Sequence, residues 1–216
     1  MSNISPLRFS QETLKNGLDI VLHVARRVPL THVTLHYRVG ASHEEPGKSG
    51  LAHLFEHMMF QGSENVGKAQ HGRYVDAVGG RWNASTSKDR TGYFETVPSN
   101  ALELALWLEA DRMGFLLEAL DQKRLDIQRD VAKNERRQSY ENRPYGIADL
   151  HLQEALHPLP HPYHWPTIGY HEDLDVATLD DARQFFQKFY SPSNASLAIA
   201  GDFSSGYVKE MVHQYF

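Results

Sequence analysis

The 216-residue chain contains no cysteine. This absence excludes disulfide bonds and thiolate metal ligands, so any bound metal ion must be held by His, Asp or Glu side chains. No stretch of the sequence approaches the roughly 20 consecutive apolar residues that a membrane-spanning helix needs. The net charge is −5, which gives no electrostatic footprint for nucleic acid. We therefore expect no membrane span and no nucleic-acid partner.

The first ten residues do not predict a secretion signal. Residues 1–10 contain no basic segment followed by an apolar run. The location is unknown from sequence: the cytoplasm is the default expectation, and a periplasmic location would require that a leader was removed. With 41% hydrophobic and 23% charged residues, the composition is that of a globular protein, and 216 residues fit one domain.

Two histidines and a glutamate lie close together in His53-Leu54-Phe55-Glu56-His57. Residues on a helix are about 100° apart, so His57 lies about 40° from His53, with Glu56 about 60° to the other side. One helix face would carry two imidazoles that can chelate a metal ion and a carboxylate that can hold the water polarised by it. Residues 49–60 are apolar almost all round, which predicts a buried helix whose polar side chains need partners. The alternative is a chance pattern in a chain with 13 histidines.

A third metal ligand would have to be another His, Asp or Glu, because catalytic zinc usually has three protein ligands. A second long helix is predicted over residues 121–140, and Val131 and Ala132 mark its expected buried side. Glu135 lies four and three residues further on, on that same side. Besides a metal, its partner could be a buried arginine or an exposed arginine of its own helix. The residues alone leave these alternatives open.

The hydrophobic pattern also predicts the order of the elements. Apolar and β-branched runs predict strands at residues 7–14, 18–24, 31–39, 81–86, 91–97 and 195–200. The first three strands are predicted as a meander and the next two as a hairpin. Periodicity and capping residues predict helices at residues 49–60, 69–78, 101–120, 121–140, 147–156 and 178–189, with a last helix after residue 202. Residues 157–170 contain four prolines and are predicted to be irregular.

Three blocks of the sequence closely resemble the signatures of one family. The first is Gly50-Leu51-Ala52-His53-Leu54-Phe55-Glu56-His57-Met58-Met59-Phe60-Gln61-Gly62-Ser63. The second consists of Gly79-Gly80, Asn83-Ala84, Thr86, Asp89 and Thr91. The third is Asn134-Glu135-Arg136-Arg137-Gln138-Ser139-Tyr140-Glu141-Asn142-Arg143-Pro144-Tyr145-Gly146. Together they resemble the pitrilysin (M16) zinc metallopeptidases, above all the bacterial members, and the first contains the H-x-x-E-H spacing of inverted zincins.

This resemblance implies an α+β fold with a mixed, mainly antiparallel sheet and helices packed on one side, as in LuxS and the mitochondrial processing peptidase. It implies that His53, His57 and Glu135 bind one zinc ion and that Glu56 is the general base. Many relatives have a second glutamate seven residues before the third ligand. Here that position is Gln128, so the metal affinity or the acidity of the water is expected to differ.

The resemblance further implies how a substrate would bind. Asn83 and Ala84 match the edge-strand positions that hold an extended peptide by main-chain pairing. The implied function is a zinc endopeptidase that hydrolyses extended or unfolded peptides through a metal-activated water. Residues 1–216 would form one N-terminal catalytic domain of a longer, two-half polypeptide. The alternatives are an isolated half-chamber that binds zinc and peptide but needs a second homologous domain or subunit for cleavage, and another zinc hydrolase or lyase of the same fold.

The remaining features are expected to be structural. We predict solvated loop residues, rather than a second metal site, for the run of histidines at 151, 157, 161, 164 and 171. Trp82 and Trp107 are predicted to be packing residues. A solvated helix face is predicted for the cationic side chains Arg129, Lys133, Arg136 and Arg137.

Overall fold

The predicted strands assemble into one mixed sheet in the computed structural model, which describes residues 7–216. The first six residues, which belong to the segment predicted to lack a secretion signal, lie outside the described residues. The described strands are β1 (Ser10–Thr13), β2 (Asp19–Val24), β3 (Leu30–Tyr37), β4 (Arg81–Thr86), β5 (Thr91–Pro98) and β6 (Ala195–Gly201). They are arranged in the order β1-β2-β6-β3-β5-β4, and all neighbours are antiparallel except the parallel pair β2 and β6. The expected α+β fold class with a mixed, mainly antiparallel sheet is confirmed.

The predicted three-strand meander is wrong in one connection. β1 and β2 form the expected hairpin, but β6 lies between β2 and β3 in the described sheet. β6 pairs with β2 from Asp19–Ser196 to Val24–Gly201 and with β3 on its other side. Alternation buries Ala195, Leu197 and Ile199 on the core side of β6. A local pattern of apolar residues cannot reveal a strand partner more than 150 residues away, so sequence proximity favoured the wrong neighbour.

Helices cover the sheet face that carries Val33, Leu35 and Tyr37, all of which are fully buried. The described α-helices are α1 (Leu51–Met58), α2 (Gln70–Ala77), α3 (Leu102–Phe115), α4 (Gln122–Arg136), α5 (Ala148–Leu156), α6 (His171–Val176), α7 (Leu179–Phe189) and α8 (Ser205–Tyr215). None of them is long and apolar enough to cross a membrane. The prediction missed α6, and the helix predicted over residues 101–120 is α3 followed by a short 3-10 turn.

The helix that carries Glu135 follows its prediction closely. The Asp121 carboxylate accepts a hydrogen bond from the backbone N–H of Arg124 at 2.7 Å and so caps α4. After Arg136 the helix widens into one π turn, Arg137–Glu141. Val131, however, is 41% exposed, so its predicted place on the buried side is wrong, whereas Ala132 is buried.

Candidate metal centre

The H-x-x-E-H motif lies on α1, whose first turn is fixed by a buried carboxylate. Glu44 accepts hydrogen bonds from the backbone N–H groups of Gly50 and Ala52 at 3.0 and 2.7 Å. Burial raises the pKa of Glu44 to about 8, against the effect of these two hydrogen bonds. Gly50 has φ +82, and a Cβ atom there would lie 2.7 Å from the Cα atom of Gly169. The start of α1 is therefore held by its cap and by a close backbone contact.

The apolar residues of α1 determine which way the motif points. Leu54, Phe55 and Met58 are buried in the core, at no more than 1% exposure. The three polar residues of the motif are half-buried and face a cavity of about 390 Å³. Burial of the apolar stripe thus presents the two histidines and Glu56 to the same opening.

Three of the predicted site residues meet at one point. The Nε2 atoms of His53 and His57 are 3.3 Å apart. Glu135 Oε2, contributed by α4, lies 3.7 Å from His53 Nε2 and 3.3 Å from His57 Nε2. Ligand atoms around a tetrahedral zinc with bonds of about 2.0–2.1 Å lie about 3.3–3.4 Å apart. The donors therefore fit one zinc ion in both chemical type and spacing.

The charges at this point suit a cation. Burial, reinforced by the neighbouring His57, lowers the pKa of His53 to about 4, so its imidazole is neutral at pH 7. Burial opposes protonation of His57, but Glu135 and Glu56 raise its pKa above the ordinary value, and a hydrogen bond to Gln128 acts in the same direction. The pKa of Glu135 is lowered chiefly by its hydrogen bond with His57. His53 and Glu135 are therefore already in the neutral and ionised forms that ligate a metal, and His57 would give up any proton it holds when a metal binds.

Glu56 lies beside these donors and has a hydrogen-bond partner on β4. Burial raises the pKa of Glu56, and a hydrogen bond from Thr86 Oγ1 to Glu56 Oε2, at 2.5 Å, opposes the rise. A carboxylate with a raised pKa is a stronger base toward water. Thr86 belongs to the second block of the family resemblance, but nothing in the sequence indicated that it contacts Glu56.

The predicted peptide-binding residues lie at the edge of the same cavity. Asn83 and Ala84 line it, and their strand β4 is the last strand of the described sheet, paired on one side with β5. Trp82 is 37% exposed and also lines the cavity. The centre of its ring lies 4.8 Å from that of the Phe60 ring, so Trp82 packs as predicted. The exposed part of the side chain faces the cavity.

The cationic stripe of α4 is anchored, and the prediction of a solvated face is wrong for most of it. Arg129 donates to the carbonyl oxygen of Ala177, and Lys133 pairs with Asp175. Arg136 donates to the Gly169 carbonyl oxygen and pairs with Glu141. These side chains are at most 18% exposed, whereas Arg137 is exposed as predicted. The contacts hold the helix of Glu135 against the segment that contains α6.

The histidines predicted to be solvated loop residues are only partly solvated, and two of them lie on helices, His151 on α5 and His171 on α6. His164 Nδ1 lies 2.8 Å from the His157 carbonyl oxygen, and His171 Nε2 lies 2.9 Å from Glu141 Oε1. His151 and His161 are exposed, and 71% of the His151 side chain is accessible. Neither of the two clusters of potential metal ligands among residues 7–216 contains any of these histidines.

The other cluster of ligand-type side chains was missed by the sequence analysis. His71 Nε2 lies 2.9 Å from Glu95 Oε1, and Arg112 pairs with both Glu95 and Glu109. All are at most 3% exposed, and the guanidinium lies 4.2 Å from the centre of the Tyr93 ring. Arg112 already supplies the cation between the two carboxyls, so this cluster is a buried ion network. Its signal in the sequence was Glu109 and Arg112, one turn apart among apolar positions of a helix.

Comparisons with known proteins agree with the geometry. The profile described as Insulinase (Peptidase family M16) matches residues 20–159, and one described as Peptidase M16 inactive domain matches residues 177–216. The zinc protease PqqE of Helicobacter pylori is 35% identical over 205 residues, which cover 94% of this chain and 46% of that protein.

Solved structures show the same fold. A protease from Helicobacter pylori superposes with a TM-score of 0.92 at 34% identity, over 97% of this chain and 50% of the other. The first half of the periplasmic protease PqqL from Escherichia coli gives a TM-score of 0.86 at 22% identity, over 96% of this chain and 45% of the other. The chain thus spans about half the length of the relatives it matches. Since its family profile covers most of the sequence, the chain belongs to the M16 peptidase family.

Proposed function

We propose that this chain is the metal-binding, base-carrying part of a zinc-dependent endopeptidase that hydrolyses extended or unfolded peptides. The observation that carries the proposal is the convergence of two Nε2 atoms and one carboxylate oxygen within 3.7 Å, beside a fourth polar group, Glu56. The name of the Helicobacter pylori relative, a zinc protease, agrees with this reading.

His53, His57 and Glu135 would hold one zinc ion. Bound there, zinc would lower the pKa of a water molecule to ~7 and polarise the scissile carbonyl. Glu56 is the group of this chain that can take the proton of the attacking water and return it to the leaving amine. Its half-buried carboxyl supports that role, because burial makes it more basic than an exposed glutamate.

The peptide would bind along β4. An unpaired strand edge offers main-chain N–H and C=O groups to an extended segment, which joins the sheet as an additional strand. Asn83 and Ala84 lie on that strand next to the metal ligands, within the same cavity. Because this binding mode recognises the main chain of the peptide, it favours unfolded substrates over folded ones.

A second candidate function follows from the length of the relatives. The chain covers 46% of the zinc protease PqqE and 50% of the Helicobacter pylori protease. In this reading the chain binds zinc and peptide but cleaves only when a second homologous half or subunit closes the site. The two functions differ in what the chain does alone, not in its metal ligands.

The test combines zinc analysis with peptide cleavage. The purified chain, with and without a co-expressed second half, is assayed for zinc by elemental analysis and for cleavage of an unfolded fluorogenic peptide, before and after chelation. Glu56→Gln should keep the zinc and lower kcat by about 10²- to 10⁴-fold. His53→Ala should lose the zinc, whereas His151→Ala, an exposed histidine away from the site, should not.

The outcomes separate the candidates. Chelator-sensitive cleavage by the chain alone supports an autonomous peptidase, and cleavage that needs the second half supports the half-chamber. A chain that binds no zinc, or a Glu56→Gln variant that cleaves at the parental rate, would overturn the proposal.

A further inference from the structure

We infer that Thr86 is a positioning residue that holds the Glu56 carboxyl in place and ties the base to the strand along which the peptide would bind. The inference rests on the proposed function for the role of Glu56. The structural observation behind it is a hydrogen bond that joins α1 to β4, two elements that are distant in sequence.

The hydrogen-bond pattern sets the direction of the contact. Thr86 is paired with Thr91 across the β4–β5 hairpin. Thr91 Oγ1 donates to the Val39 carbonyl oxygen at 2.9 Å, and the two threonine oxygens are 3.5 Å apart. Thr86 Oγ1 is much closer to Glu56 Oε2, at 2.5 Å. An ionised carboxylate is acceptor-only, so the single hydroxyl proton of Thr86 is donated to Glu56.

This contact gives the two carboxylate oxygens different roles. Glu56 Oε2 accepts the hydrogen bond from Thr86, whereas Oε1 accepts none from the described residues, which makes Oε1 the more available oxygen to accept a proton from water. Within the described part of the chain, Thr86 is the hydrogen-bond partner of the Glu56 side chain. Threonine has few χ1 rotamers because it is β-branched, so its hydroxyl is a stiffer anchor than that of serine.

The strand places the anchor and the peptide site on one element. Successive side chains of a strand point to opposite faces, so Ala84 and Thr86 share a face and Ser85 points the other way. Ala84 lines the cavity and Thr86 is half-buried, whereas Ser85 is exposed. A peptide paired with β4 would therefore be fixed relative to the base by the same backbone.

The test compares Thr86→Val, which keeps the shape and removes the donor, with Thr86→Ser, which keeps the donor. Both are made in the full chain, assayed with its second half if the parent needs one. We expect kcat of Thr86→Val to fall about 10- to 100-fold, as for a lost hydrogen bond to a charged group, with KM within about twofold of the parent. Thr86→Ser should recover most of kcat. Zinc content should be equal in all variants, and His151→Ala, an exposed residue away from the site, should match the parent.

A second measurement does not depend on turnover. In crystal structures of the metal-free chain, the Glu56 carboxyl of Thr86→Val should move away from its parental position while the His53 and His57 rings stay in place. The inference is overturned if Thr86→Val keeps the parental kcat, if Thr86→Ser loses as much as Thr86→Val, or if Glu56 does not move. If the parent cleaves no peptide under any condition, the proposed function fails, and the two crystal structures alone decide on Thr86.

Discussion

Removing the arginine from the buried ion network should destabilise the fold in a pH-dependent way. Arg112→Met leaves Glu95 and Glu109, at 1% and 0% exposure, without their cation. Breaking a buried ion pair by removing one partner costs about 3–5 kcal/mol. For a domain of this size each kcal/mol lowers the melting temperature by about 2–4 °C, so we expect a loss of roughly 10 °C at pH 8.

The pH dependence identifies the cause. Burial raises the pKa of Glu95, and that of Glu109 to about 8, although Arg112 opposes both shifts; without Arg112 both values should rise further. A carboxyl whose pKa is higher in the folded than in the unfolded state contributes its full stability at pH values below its unfolded-state pKa. That contribution is lost as the pH rises through the folded-state pKa. The deficit of Arg112→Met should therefore shrink from pH 8 to pH 5.

Thermal melts followed by circular dichroism at pH 5, 6.5 and 8 measure this deficit. The matched control is the triple variant Arg112→Met, Glu95→Gln, Glu109→Gln, which removes the orphaned charges and should regain at least half of the loss. A melting temperature of Arg112→Met within about 3 °C of the parent at pH 8, or a deficit that does not change with pH, would refute the reasoning.

Three further predictions concern the metal centre and its helix. Glu44→Ala removes the acceptor of two backbone N–H groups at the start of α1 and should lower the melting temperature by about 3–10 °C; an unchanged melt would contradict its capping role. Gln128→Glu places a carboxylate next to His57 and should tighten zinc binding about tenfold in a competition assay with a chromophoric chelator; weaker binding would contradict the contact. Free zinc at about 100 times its dissociation constant should raise the melting temperature by about 5–10 °C, and Glu135→Gln should lose most of this shift at the same zinc concentration.

The sequence was most informative where chemistry depends on local spacing. On a helix, His53 and His57 necessarily share a face, so their proximity follows from two positions in the sequence. The buried character of their helix also followed from its composition, because few other segments are apolar on nearly all sides. Glu135 could be assigned to the same point only through the family resemblance, since its geometry alone allowed an ordinary ion pair.

The features that sequence could not predict all depend on distant partners. The exposure of Val131 and the anchoring of Lys133 are decided by where α4 lies against the segment of Asp175. The contact of Thr86 with Glu56 joins residues 30 positions apart whose proximity is set by the packing of α1 on β4. Periodicity describes one element at a time, so it cannot distinguish a solvated charge from one that pairs across an interface.

The place of β6 has a consequence for how the chain is synthesised. Residues 195–201 complete the middle of the sheet, yet they emerge from the ribosome after almost everything else described here. Until then β2 and β3 each have an open edge that can pair with another nascent chain. The nascent chain must therefore avoid aggregation until residues 195–201 have been made, and a truncation before Ala195 would leave that vulnerable state permanent.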